Sequence, residues 1–408
     1  MIGDLMVTII GGGASGLIAA ITAGRVLGGG NVKICEKNDR VGRKILATGN
    51  GRCNLTNINA SEGDYIGGQP GFVSHALRIF GPEQTIQFFE RLGLCVRAED
   101  DGRVYPKCSL SGAVLDTLRN EVSRLNIEVI HANVIKVAAA GPSFSIYTSE
   151  GKRIETHRAI VATGGCAAPF LGSDGGGYGI LTDMGHKLND VYPALVQIRT
   201  SRADMKPLNG IRVCAGVSLM DKDRLIAYEE GEIQFTNYGV SGIPALNLSC
   251  KAGQGNSLII DFSPDTDRET LTRLLERRAS DLPHLAAGQF FTGFFHKSVG
   301  RLLLKSAGVS ETFPVSRFTV KEITKLANSI KSFYAPISGT LGFNDAQVTG
   351  GGVRTDGFNP RTMESLIKSG LYAAGEVLDI YGPCGGYNLQ WAWSSGCLAG
   401  MSAALSSQ

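Results

Sequence analysis

Apolar positions fall along this chain in two rhythms. Mainly apolar runs of strand length occur at residues 5–10, 32–35 and 159–162. Runs of that kind predict strands buried on both faces of a parallel sheet. Residues 213–219 and 224–228 alternate as strand segments do, and residues 268–278 carry a helical period. A glycine-rich segment at 173–179 leads into a helical pattern ending at Met184. Residues 370–376 read as a short apolar strand that delivers an acid, Glu376. The stretch 389–404, with Trp391, Trp393, Leu398 and Met401, is apolar all round and predicts a buried helix.

The first run enters Gly11-Gly12-Gly13-Ala14-Ser15-Gly16, a helical pattern follows over 17–27, and the second run ends at Glu36. This is G-x-G-x-x-G between strand and helix, with an acid 20 residues past Gly16. Gly11 permits a tight turn, Gly13 lets a pyrophosphate approach backbone, and Gly16 lets helix and strand pack closely. The helix start then faces phosphate charge. Glu36 is expected to accept hydrogen bonds from an adenosine ribose. The plain alternative is an ordinary strand-turn-helix.

Composition sharpens this. Glycine supplies 54 of 408 residues, about 13% against roughly 7% in ordinary proteins. With 14 prolines and no Gly-X-Y period, collagen and low-complexity disorder are excluded. The 40 basic and 37 acidic residues leave +3, little for a polyanionic partner or an anionic membrane. Nine cysteines without a C-x-x-C pair argue against a disulfide framework, a zinc ribbon or a dithiol redox site. Six histidines lack ligand spacing, and no metal site is expected. His186, at a predicted helix end, suits a polar or cationic side chain there. Residues 1–27 imitate a signal peptide but lack a basic start and carry Asp4. No run has the length of a membrane span, so a cytoplasmic protein is expected.

After Glu36 the chain does not return to a strand. It runs through the polar stretch 40–57, which holds Arg43, Lys44, Gly49, Gly51, Arg52, Cys53 and Asn54. That stretch is either a solvated basic loop or the flank of an extended anionic cofactor. Two later segments share the same logic: Thr163-Gly164-Gly165, and Gly375-Glu376 with Gly382 to Asn388. A chain that returns repeatedly to one ligand suits FAD. The expected contacts are Gly11, Gly13, Ala14, Ser15, Gly16, Glu36, Lys37, Arg43, Lys44, Gly49, Gly51, Arg52, Cys53, Asn54, Val134, Thr163, Gly164, Gly165, Gly375, Glu376, Gly385, Gly386, Tyr387 and Asn388. Glu376 is placed for ribityl hydroxyls, and the last helix start near Asn388 for negative charge on a reduced ring.

The chain resembles the bacterial BaiN/YhiN-like FAD-dependent oxidoreductases. The carrying residues are 11–17, 41–44, 49–54, 102–106, 232–236, 239–242, 350–353 and 370–396, the most specific being Ala374 to Asp379 with Gly385 to Gly396. The resemblance implies an α/β fold, with a discontinuous Rossmann-like FAD domain at 1–191 and 334–408. An inserted β-barrel with helices would occupy 192–333. Many members carry histidine where this chain has Asn237, which removes that imidazole from consideration.

The resemblance also implies reduction of a C=C conjugated to a carbonyl, in oxo-steroid or bile-acid-like small molecules. Candidate reactive side chains are Tyr105, as proton donor, with Cys53 and Cys384 beside the flavin. No second glycine fingerprint follows a strand, so NAD(P)H would use the same open face as the substrate, in alternation. An amine oxidase passing electrons to oxygen is the redox alternative. An FAD-dependent tRNA-modifying enzyme and a non-catalytic flavin-binding protein are the alternatives from other classes, and the small net charge disfavours nucleic acid.

Overall fold

Strand Val7–Ile10 is paired in parallel with Arg158–Val161 on one side and Val32–Glu36 on the other. In the computed structural model, which describes residues 5–405, these belong to a five-stranded sheet. Leu371–Ala373 lies beyond Arg158–Val161, and Glu128–His131 beyond Val32–Glu36, both again parallel. All four residues of Val7–Ile10 are buried, as its mainly apolar run requires. Residues 1–4, and with them Asp4, lie outside the described part.

The helix Ala14–Leu27 follows the first strand, and the last helix, Tyr387–Leu405, packs along it. The closeness of that crossing is set by two glycines. A Cβ on Gly396 would lie 2.3 Å from the Ser15 carbonyl oxygen, and one on Gly400 2.3 Å from that of Ala19. Trp391 and Trp393 are buried, and their indole N–H groups donate to the carbonyls of Gly375 and Leu55. A helix apolar on every side thus finds protein on every side. Among the described residues no helix is long and apolar enough to cross a membrane.

The chain divides into two compact units, Met1–Pro193 with Ala346–Gln408, and Ala194–Asp345. The second unit holds a closed barrel of six strands. Around it run Ile198–Thr200, Gly239–Ser241, Arg224–Phe235, Arg212–Asp221, Ser257–Asp261 and Phe333–Thr340. Helices Arg268–Asp281, Lys297–Ala307 and Val320–Lys331 share its apolar core. Asp267 caps the first of these by accepting from Thr270 N–H, and a Thr319/Glu322 capping box starts the last. Lys331, at the end of that helix, pairs with Asp261 at 2.5 Å and donates to the carbonyls of Ser263 and Thr266.

Two expectations shift. The strand expected at 224–228 runs on to Phe235, because the antiparallel Arg212–Asp221 holds the acidic stretch Glu229 to Glu232 in register. Residue 333, where the insert was expected to end, is where the last barrel strand begins, and the second unit continues to Asp345.

His186 does not act as a cationic helix end. Its ring is buried and stacks on Phe358 at 4.2 Å, with Nε2 2.9 Å from the Ser365 hydroxyl. Burial pushes the imidazole down to about 4, so it is neutral near pH 7. His157 accepts a hydrogen bond from the Met6 N–H, joining segments 151 residues apart.

Candidate functional site

The parallel sheet places the carboxyl ends of its strands along one edge, and the segments singled out above all leave from there. Backbone hydrogen bonds hold them side by side beyond the strand ends. Gly11 donates to Cys35, Ala162 to Ile10, Ala374 to Val161 and Ala132 to Glu36. Ligands of open α/β sheets bind outside this edge. Residues 11–16, 36–38, 163–165 and 375–376 therefore converge there, and Val134 lies just past the strand end at His131.

The three fingerprint glycines differ in what surrounds them. Gly11 has φ +103°, and a Cβ there would lie 2.5 Å from the Ala162 carbonyl oxygen. A Cβ on Gly16 would lie 1.9 Å from the Gly11 carbonyl oxygen, so helix and turn are in contact. Gly13 has no protein atom within 4 Å of the equivalent position. It also starts the helix Ala14–Leu27 without a side-chain cap. The first N–H groups of that helix are therefore available to an anion.

Glu36 is buried and holds the turn. Its Oε2 accepts from Gly12 N–H at 2.7 Å, and Oε1 accepts from the backbone and side-chain N–H groups of Asn38 at 2.8 and 2.7 Å. Arg43 donates to the Asn38 side chain at 3.3 Å, and Lys37 pairs with Asp174 at 2.6 Å. Gly42 N–H donates to the Gly12 carbonyl, which brings the polar stretch against the fingerprint turn.

Lys44 and Glu376, 332 residues apart, form an ion pair of 2.9 Å. Glu376 Oε1 also accepts from Thr349 N–H at 2.8 Å, while Thr349 Oγ1 accepts from Cys166 and Ala167 N–H. One carboxylate thus links the polar stretch, the 163–167 turn and the strand Val348–Val353. Gly165 is confined among them, since a Cβ there would lie 2.4 Å from Thr349 Oγ1. Thr349 carried no signal of its own beyond the glycine run that follows it.

Residues 49–54 lie against the start of the last helix. Gly386 has φ +102°, and a Cβ there would lie 2.5 Å from the Thr56 carbonyl oxygen and 2.9 Å from Asn54 Oδ1. That Asn54 oxygen is buried without a hydrogen-bond partner, an acceptor suited to a donor from a bound molecule. Asn57 donates to the Gly385 carbonyl, and Tyr65 donates to that of Tyr387. Asn388 is occupied in closing its own loop, accepting from Gly382 N–H and donating to the Gly382 and Pro383 carbonyls.

The three candidate reactive side chains have distinct surroundings. Cys53 is fully buried, and burial pushes its thiol up to about 11. Tyr105 is buried beneath Arg52, whose guanidinium lies 4.0 Å from the ring centre and pairs with Glu99 at 2.5 Å. Arg52 is therefore engaged with Glu99 and Tyr105, which belong to the paired strands Val96–Ala98 and Arg103–Pro106 and their connection. Cys384 is half-buried, with its Sγ 3.7 Å from Gln347 Oε1. Among the described residues no cysteine is in a disulfide, and no group of three His, Cys, Asp or Glu stands together as a metal set.

Known proteins resemble this chain over nearly its whole length. A family model, the HI0933-like protein Rossmann domain, matches residues 5–402. The chain is 38% identical over 405 residues to the 3-dehydro-bile acid delta(4,6)-reductase of Clostridium scindens, spanning 97% of this chain and 98% of that one. It is 30% identical over 389 residues to the ribosomal RNA dihydrouridine synthase of Escherichia coli, spanning 95% of each. To the enzyme of the same description from Haemophilus influenzae it is 27% identical over 395 residues, again 95% of each.

Proposed function

Since the chain belongs to the HI0933-like protein Rossmann-domain family, we propose that it is an FAD-dependent reductase of a C=C bond conjugated to a carbonyl. The observation that carries this is the convergence of the three-glycine turn, Glu36, residues 163–165 and Glu376 on one edge of the sheet. The open position at Gly13 and the unpaired Asn54 oxygen fit a long cofactor with a pyrophosphate in its middle and N–H donors at its far end. When bound, FAD supplies a two-electron centre that exchanges hydride with nicotinamide and substrate.

The chain's own residues have the remaining work. The N–H groups of Ala14, Ser15 and Gly16 would hold the pyrophosphate. Glu36 holds the turn through Gly12 and would accept from the ribose hydroxyls. Glu376, tied to Lys44 and Thr349, would hold the ribityl hydroxyls, and the start of the last helix would stabilise negative charge on the ring. Arg43 and Lys37, held through Asn38 and Asp174, line the phosphate flank.

The relatives' names support the reaction class. A 3-oxo steroid with unsaturation at positions 4 and 6 and a uracil ring both carry a C=C conjugated to a carbonyl. The greater identity to the bile-acid enzyme and the small net charge favour a small oxo-steroid-like substrate over RNA.

Anaerobic spectroscopy tests this. The bound flavin is expected to bleach with NADH or NADPH and to recover its colour on adding a 4,6-dien-3-one steroid. Bleaching by a primary amine but by neither nucleotide overturns the reading. Recovery with uridine-containing RNA but not with the steroid keeps the chemistry and replaces the substrate.

Glu36→Ala is expected to weaken FAD by about 1.5–3 kcal/mol, through lost ribose contacts and a loosened Gly12 turn. An unchanged dissociation constant in a fluorescence titration would show that the carboxylate serves the turn alone.

A further inference from the structure

Reduction of a conjugated carbonyl needs an acid as well as a hydride, and the first unit contains a phenol pair outside the residues considered so far. The hydroxyls of Tyr192 and Tyr381 are 3.0 Å apart, and their rings meet edge-on with centroids 6.3 Å apart. Tyr381 is buried, whereas 40% of Tyr192 is exposed. The Tyr192 ring lies directly on Gly350, where a Cβ would come within 2.4 Å of it. Thr349, the preceding residue, donates to Glu376. Tyr381 pairs through its backbone with Ile66 and opens the segment that reaches Gly385 and Gly386. The two phenols thus stand between two of the glycine segments gathered around the site, 350–352 and 385–386.

We propose that Tyr192 is the proton donor of the reduction and that Tyr381 is its positioning residue. The assignment rests on the reading of the chain as a conjugated-carbonyl reductase. The step balances as follows. The β-carbon receives hydride from the reduced flavin, which is thereby oxidised, and the π bond opens toward the α-carbon. The α-carbon takes the Tyr192 hydroxyl proton, and the carbonyl is retained. Tyr192 is left as a phenolate that accepts a hydrogen bond from the Tyr381 hydroxyl, and its exposed side chain is reprotonated from water. Tyr105, buried beneath Arg52, offers no comparable exposed hydroxyl.

The test uses the holoenzyme with its flavin reduced anaerobically and then mixed with a 4,6-dien-3-one steroid. Tyr192→Phe is expected to slow flavin reoxidation about a hundredfold or more, the usual contribution of a positioned acid. Tyr381→Phe is expected to slow it by about tenfold. FAD affinity, flavin reduction by the nicotinamide nucleotide and binding of the saturated ketone product should stay within about twofold of wild type in both variants. In D2O the wild-type product carries deuterium on one face of the α-carbon, and Tyr192→Phe gives both faces. Reoxidation of Tyr192→Phe within about threefold of wild type overturns the assignment. Loss of FAD, or equal slowing of flavin reduction and reoxidation, also overturns it by showing a packing role against Gly350. A wild type that no conjugated carbonyl reoxidises refutes the proposed reaction itself, and the donor role with it.

Discussion

Gly13→Val yields a folded, colourless protein. The φ of Gly13 is −79°, which any residue can adopt, and a Cβ there meets no protein atom within 4 Å. The added Cβ therefore meets nothing in the fold. The substitution does place a branched side chain where a pyrophosphate would touch the backbone ahead of the uncapped helix start. Loss of close backbone contact at that point is expected to weaken FAD at least a hundredfold, about 2.7 kcal/mol or more. Flavin content after purification, with circular dichroism as the control for folding, measures it. A yellow variant would show that the cofactor does not lie across this turn.

Gly16→Ala, three residues on, has the opposite signature. Its Cβ would stand 1.9 Å from the Gly11 carbonyl oxygen, a backbone atom with no rotamer to yield. Relief requires the helix Ala14–Leu27 to move from the first strand. That movement also disturbs its crossing with the last helix, where Gly396 and Gly400 already bring the two backbones into contact. A destabilisation of about 3 kcal/mol, the upper part of the range for overpacked cores, is expected. The apparent melting temperature should fall whether or not FAD is present. A fall that saturating FAD abolishes would instead place the strain in the cofactor site. The two glycines of one motif thus separate by readout, one affecting ligand and the other fold.

The fingerprint was legible because it is local. Strand, turn, helix and acid lie within residues 5–36, and each requirement concerns neighbouring backbone or a strand directly alongside. The barrel strands at 213–219 and 224–228 were legible for a similar reason, since alternation records which face of a strand is buried. The acidic end of Arg224–Phe235 was not, because its strand state depends on its antiparallel partner. At His186 a helix end suits a polar or a cationic side chain alike, and burial decides for the neutral form.

Within the site, residue types were legible and their partners were not. Cations in the polar stretch marked it as a candidate phosphate flank, yet Lys44 is paired with Glu376 and Arg52 with Glu99. Tyr105 looked like a candidate acid from its phenol alone. Tyr192 carried no motif, and only the cross-strand contact with Gly350 and the hydroxyl of Tyr381 single it out.

By itself, then, the sequence determined the nucleotide-binding turn, the parallel sheet that presents it and the class of cofactor that suits it. Those follow from steric limits on backbone and from the period of apolar residues, both short-range properties. The tertiary structure decided which charges neutralise one another, which thiols are buried and which two phenol hydroxyls meet. Those depend on distances of about 3 Å between groups that can lie hundreds of residues apart, and no local pattern encodes them.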